Sequence, residues 1–111
     1  MSKVYVVQMP MKLDHISGNH EPLYDISSAE QYGPVQILLE DNKMVMTPGP
    51  MKQVLKQGLR DFKDEDYLLM IGDTAAIANA AMIASEVNHG KVKALKWDRR
   101  SQRYMQLQLT T

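Results

Sequence analysis

Cysteine is absent from the 111-residue chain, which excludes disulfides, thiolate metal sites and cysteine nucleophiles. Small secreted domains usually rely on such staples. No apolar run approaches the roughly 20 residues that a membrane span requires. The N-terminus, Met1-Ser2-Lys3 and a short alternating segment, is not that of a signal peptide. The expectation is a soluble cytoplasmic protein with no membrane partner. Net charge is also absent, because thirteen cations balance thirteen acids. There is no nucleophile elbow, phosphate-binding glycine loop or paired-acid motif. Ser17, Ser27, Ser28, Ser85 and Ser101 have no identifiable base. A non-enzymatic protein without cofactor or metal is expected.

What is present suffices for one domain spanning residues 1–111, with 44% hydrophobic residues to build an ordinary core. So small a domain has little room for an enclosed active site, which favours a surface function or a pocket built by oligomerisation. The nine methionines read as core filler, or as an adaptable binding surface.

Val4-Tyr5-Val6-Val7-Gln8-Met9 is β-branched and aromatic and stops at Pro10, as a strand does. Residues 11–34 read as a long irregular loop with a short helical turn around Ser27–Tyr32, capped by Ser27 or Ser28. Val35–Leu39 is a second strand, and the polar Glu40-Asp41-Asn42-Lys43 returns it into Met44-Val45-Met46. Met51, Val54, Leu55, Leu59 and Phe62 fall on one stripe of a helix over 51–62, with Gly58 on the same stripe for close packing against a strand. Tyr67–Ile71 is continuously apolar, as a central strand covered on both faces should be. The alanine-rich segment 74–88 predicts a helix apolar nearly all round and deeply buried, ended by Asn88-His89-Gly90 with Gly90 left-handed. Lys91–Trp97 is a strand, 98–102 a turn, and Met105–Leu109 an alternating edge strand. The order predicts an α/β fold: a small sheet with two helices, a parallel centre and an antiparallel C-terminal hairpin.

Gly72-Asp73-Thr74 ends a buried strand and opens a helix, the place where open α/β sheets hold ligands. Asp73 there is either the helix cap or a ligand-binding acid. His15 and His20 share their loop with Asp14, Glu21 and Asp25, but the spacing matches no zinc pattern. His89 suits a helix C-terminus, where its cation meets the dipole. Asp61, Asp64, Glu65 and Asp66 read as a solvated helix end.

Charge is unevenly placed although the total cancels. Between Lys91 and Arg103 lie six cations (Lys91, Lys93, Lys96, Arg99, Arg100 and Arg103) against one acid, Asp98. A cationic patch attracts anions whatever the net charge. Trp97 and Tyr104 bracket it, and aromatics beside cations are what single-stranded nucleic acid stacks on. On a strand, Lys91, Lys93, Leu95 and Trp97 share one face. The competing reading is an edge hairpin whose outward cations keep it soluble and unpaired, with Trp97 packed inward beside Leu95.

Val4-Tyr5-Val6-Val7-Gln8, Asp66-Tyr67-Leu68-Leu69 with Gly72-Asp73, the alanine-rich helix, and Leu95-Lys96-Trp97-Asp98-Arg99 with Tyr104 resemble a family of small uncharacterised proteins of tailed bacteriophages and prophage regions. The resemblance runs over most of the chain and is weakest in 11–34. It implies an accessory binder made in the host cell cytoplasm and transfers no catalytic or binding residue.

The leading expectation is a non-enzymatic accessory protein that binds nucleic acid, DNA or RNA and single-stranded, in replication or transcription. Lys91, Lys93, Lys96, Trp97, Arg99, Arg100, Arg103 and Tyr104 are its binding residues. The alternative is a protein-interaction module: an inhibitor or adaptor of a host or viral enzyme, or a homo-oligomer joined through the edge strand.

Overall fold

The computed structural model of the chain describes residues 2–22, 25–40 and 48–111. Among the described residues seven strands form: β1 (Val4–Gln8), β2 (Met11–Leu13), β3 (His20–Pro22), β4 (Val35–Leu39), β5 (Tyr67–Leu69), β6 (Lys91–Asp98) and β7 (Arg103–Thr110). Two α-helices, α1 (Pro48–Leu59) and α2 (Thr74–Val87), and a 3₁₀ helix over Ser27–Tyr32 complete the fold. The main sheet runs β4-β1-β5-β6-β7. β1 pairs in parallel with β4 and β5, β5 in parallel with β6, and β6 antiparallel with β7. The expected α/β class, parallel centre and C-terminal hairpin are all present. The proposed return strand 44–46 lies outside the described residues.

Each sheet face has its own core. On one, Tyr5, Val7, Leu68 and Val92 pack beneath both helices, with Leu55 and Leu59 of α1 and Ala80 and Ala84 of α2. On the other, Val4, Val6, Leu69, Leu95 and Tyr104 meet Ala29 of the 3₁₀ helix. β1, covered on both sides, is buried throughout, as the apolar run Val4–Val7 requires, and the polar Gln8 at its end is buried with it. The connection from β1 to β4 carries the 3₁₀ helix on one face, and the later connections carry α1 and α2 on the other. The direction of winding therefore reverses between β1 and β5, and the carboxyl ends of strands beside such a reversal are where a crevice opens.

Local chemistry sets the helix ends. The Asp73 carboxylate accepts from Ala75 N–H (3.0 Å) and Ala76 N–H (3.1 Å), so it caps α2. At the other end Gly90 N–H donates to Ser85 O (2.7 Å) and both His89 and Gly90 have positive φ, at 56° and 86°. Gly90 is left-handed as expected, and His89 shares that conformation. Gly58 sits where an added Cβ would lie 2.5 Å from Leu38 Cδ2, which is the close helix–strand packing its position predicts.

Four expectations need correction. Residues 11–34 are not one irregular loop, because β2 and β3 form an antiparallel hairpin within them. The 3₁₀ helix is served by neither serine: its first N–H, that of Ser27, donates to Asp25 Oδ1 at 2.9 Å. Helix α2 is not buried all round, since Ala76, Ala80, Ile83 and Ala84 face the core while Met82 is 66% exposed. Only one layer covers that sheet face, so its outer side meets water. Asp66 is not part of a solvated run but is 1% exposed, and its two oxygens accept from Lys3 N–H (2.9 Å) and Lys63 N–H (3.1 Å). Hydrogen bonds from two backbone donors offset the cost of burying that charge.

Candidate functional site

The carboxyl ends of β5 and β6 open into a cleft of about 550 Å³. Its floor is the chain leaving β5, Met70, Ile71 and Gly72, and one wall is formed by Trp97 and Tyr104. Lys96, Arg99 and Asp25 rim it. β6 and β7 bring the two rings together because their register aligns Trp97 with Tyr104. The rings meet edge to face, 5.0 Å between centroids at 71°, a favourable aromatic geometry.

The two rings have different environments. Tyr104 is 7% exposed and Trp97 is 37% exposed. Burial pushes the Tyr104 phenol above its ordinary value; the negative charge of Asp25 acts in the same direction and a hydrogen bond with Ser28 opposes it. Tyr104 is therefore an inner support with no free face for a base. Trp97 is neither the outward platform nor the inward core residue of the two competing readings, but half-buried at the mouth of a cleft.

The hairpin turn is internally organised. The Asp98 carboxylate accepts from Ser101 Oγ (2.7 Å) and Arg100 N–H (3.3 Å). The Ser101 bond chiefly lowers its pKa, assisted by backbone N–H groups and the charge of Arg103. Gln102, with φ of 55°, closes the turn by donating from Nε2 to Arg99 O at 2.7 Å. The one acid of the segment is thus consumed in shaping the turn. Arg99, Arg100 and Arg103 are exposed, and among the described residues none of them forms an ion pair.

The eight residues singled out from the sequence do not form one strip. Lys96, Trp97, Arg99 and Tyr104 come together at the cleft, with Arg100 and Arg103 in the adjoining turn and strand start. Lys91 and Lys93 lie at the opposite end of β6, beside Asp64 and Asn88. At about 3.3 Å per residue, Lys91 is some 20 Å from Trp97. Lys93 Nζ stands 4.4 Å from the centre of the Tyr67 ring, a cation–π contact that engages it within the fold.

Two parts of the cleft, and a residue packed beneath its floor, are not marked in the sequence. Asp25 reaches the rim from the far side of the β2–β3 hairpin, and no local pattern links it to Trp97. Met70, Ile71 and Gly72 were visible as a strand end, but their place beside Trp97 depends on the pairing of β5 with β6. Gln8, 3% exposed, accepts the Asp73 N–H through Oε1 at 2.8 Å and lies against Gly72, where an added Cβ would fall 2.5 Å from Gln8 Cβ. Among the described residues, no three His, Asp or Glu side chains gather as a metal site.

A sequence model of the family described as Phage Pam3 gp32-like protein matches residues 2–111. The chain belongs to that family. The phage affiliation expected from the sequence is thus shown over nearly the whole chain, including the strands and turn that build the cleft. Among curated proteins and solved structures, nothing matches it. In this Phage Pam3 gp32-like chain, no helix among the described residues is long and apolar enough to cross a membrane.

Proposed function

We propose that the protein is a non-enzymatic phage accessory protein that binds single-stranded nucleic acid at the β5–β6 cleft, in replication or transcription. The observation that carries the reading is the half-exposed Trp97 ring, steadied by Tyr104, with Arg99 in the same cleft and Lys96 reaching its rim from the opposite face of β6. A base resting on that ring gains about 1–3 kcal/mol from stacking. Lys96 and Arg99 then meet the adjoining phosphates, with Arg100 and Arg103 extending the path around the turn. Each neutralised phosphate of a single strand contributes about 0.7 to the logarithmic salt dependence. Lys91 and Lys93 stand outside this site. Asp25 on the rim repels phosphate and directs the strand toward the arginine side.

The test is a titration with a short fluorescent single-stranded oligonucleotide at low and moderate salt, following Trp97 emission in parallel. The expected result is quenched tryptophan and an affinity that falls as salt rises. A tryptophan spectrum unchanged by the oligonucleotide, with no binding at low salt, would overturn the reading.

A further inference from the structure

Among the described residues, β7 is an edge strand of eight residues with one long side unpaired in the sheet. Edge strands are normally protected by lysine, proline, inward charge or a bulge. From Tyr104 to Thr110 this one carries no charged residue and no proline. Its register with β6 places Met105, Leu107 and Leu109 on the helix-bearing face, opposite Lys96, Ala94 and Val92. Met105 is 47% and Leu109 37% exposed. Beside them an apolar groove of about 370 Å³ runs between α2 and β7, lined in part by Met82 and Leu109.

We infer that β7 pairs antiparallel with β7 of a second copy, about a two-fold axis through Leu107, joining two five-stranded sheets into one of ten. The sequence of the strand is self-complementary about that residue. Leu107 faces its own copy, Met105 faces Leu109, and Gln106 faces Gln108. Apolar side chains meet apolar ones on the helix side, and amides meet amides on the other. Arg103 falls opposite Thr111, so no charge faces a charge. Moving the axis to Gln106 would set Arg103 against Leu109, and moving it to Gln108 would shorten the ladder. In the Leu107 register the helices of both copies lie on one side of the joined sheet, and Met82 and Met105 are placed to fill the grooves at the seam. This pairing is independent of the nucleic-acid reading.

The absence of cysteine permits a register-specific test. In the paired state the Leu107 Cα atoms are about 4.5–5.5 Å apart, within disulfide reach, which ends near 7 Å. The two Met105 positions are about 14 Å apart along the strands. By light scattering the unmodified chain is expected at twice its 12.6 kDa mass, and L107K, which places two cations face to face, at the single-chain mass. Under oxidising conditions L107C is expected to cross-link as a dimer and M105C to remain uncross-linked. The cysteine pair keeps the test decisive if L107K fails to fold. A single-chain mass for the unmodified protein, or cross-linking of M105C as readily as L107C, would overturn the inference.

Discussion

The Trp97 ring stands edge-on to that of Tyr104 across the β6–β7 ladder, 5.0 Å away, yet only Tyr104 is buried. That asymmetry divides the work of the pair. Tyr104 belongs to the core, where truncation of a large aromatic to alanine costs about 3–5 kcal/mol. Trp97 shares only the pair contact, worth about 0.5–1.5 kcal/mol, plus half its surface. Chemical denaturation is therefore expected to show Y104A strongly destabilised and W97A much less so.

Binding should show the reverse. W97A removes the stacking surface, so oligonucleotide affinity is expected to fall by about 1–3 kcal/mol while the melting transition falls far less than in Y104A. K93A, at the other end of β6, should leave affinity unchanged. An equal loss from both variants would detach binding from the cleft.

Charge in the turn can be tested by its salt signature. Replacing Arg99, Arg100 and Arg103 together by glutamine should lower the salt dependence of single-strand binding by about 2 logarithmic units per unit of log salt. D25N should act oppositely and tighten binding severalfold. The amide oxygen can still accept the Ser27 N–H, so the 3₁₀ helix survives the change.

Gly72 has φ of 121°, and a Cβ there would overlap Gln8 Cβ at 2.5 Å. G72A should be destabilising by about 1–3 kcal/mol, as strained backbone usually is. Because Gln8 Oε1 holds the Asp73 N–H, the same variant should loosen the start of α2. Hydrogen exchange at Ala75 and Ala76 would report it.

Alkali should unfold the protein through two phenols. Burial raises the pKa of both Tyr5 and Tyr104 above 10.0, with Asp66 and Asp61 adding to the effect at Tyr5. Below pH 10 the stability they lend is fully present, because both states keep their protons. As pH rises past 10.0 the unfolded chain ionises first, and stability is lost through the folded-state values. Y104F should reduce that alkaline loss in a denaturation series. At the acid end, the lowered pKa of Asp98 means that its support of the hairpin turn is lost as pH falls below the usual carboxylate range.

Much of this was legible in the sequence because it is local. Asp73 announced the start of α2, Asn88-His89-Gly90 its end, and the spacing of Met51, Leu55 and Leu59 the buried face of α1. The β2–β3 hairpin was not legible, since strands of three residues are too short to show alternation. The alanines of α2 misled for a different reason: alanine favours helix on any face, so an alanine-rich helix shows little of which side is covered.

The sequence by itself determined the two helices, the strands of the main sheet and the cluster of cations around Trp97, because propensity, capping and periodicity act between near neighbours. Only the tertiary structure decided that the cluster splits into two ends of β6, that Tyr104 goes inside, and that Asp25 and Gly72 come to lie beside Trp97. Those outcomes depend on strand order and on what covers each face of the sheet, and both are settled by hydrogen bonds and packing between residues far apart in the chain.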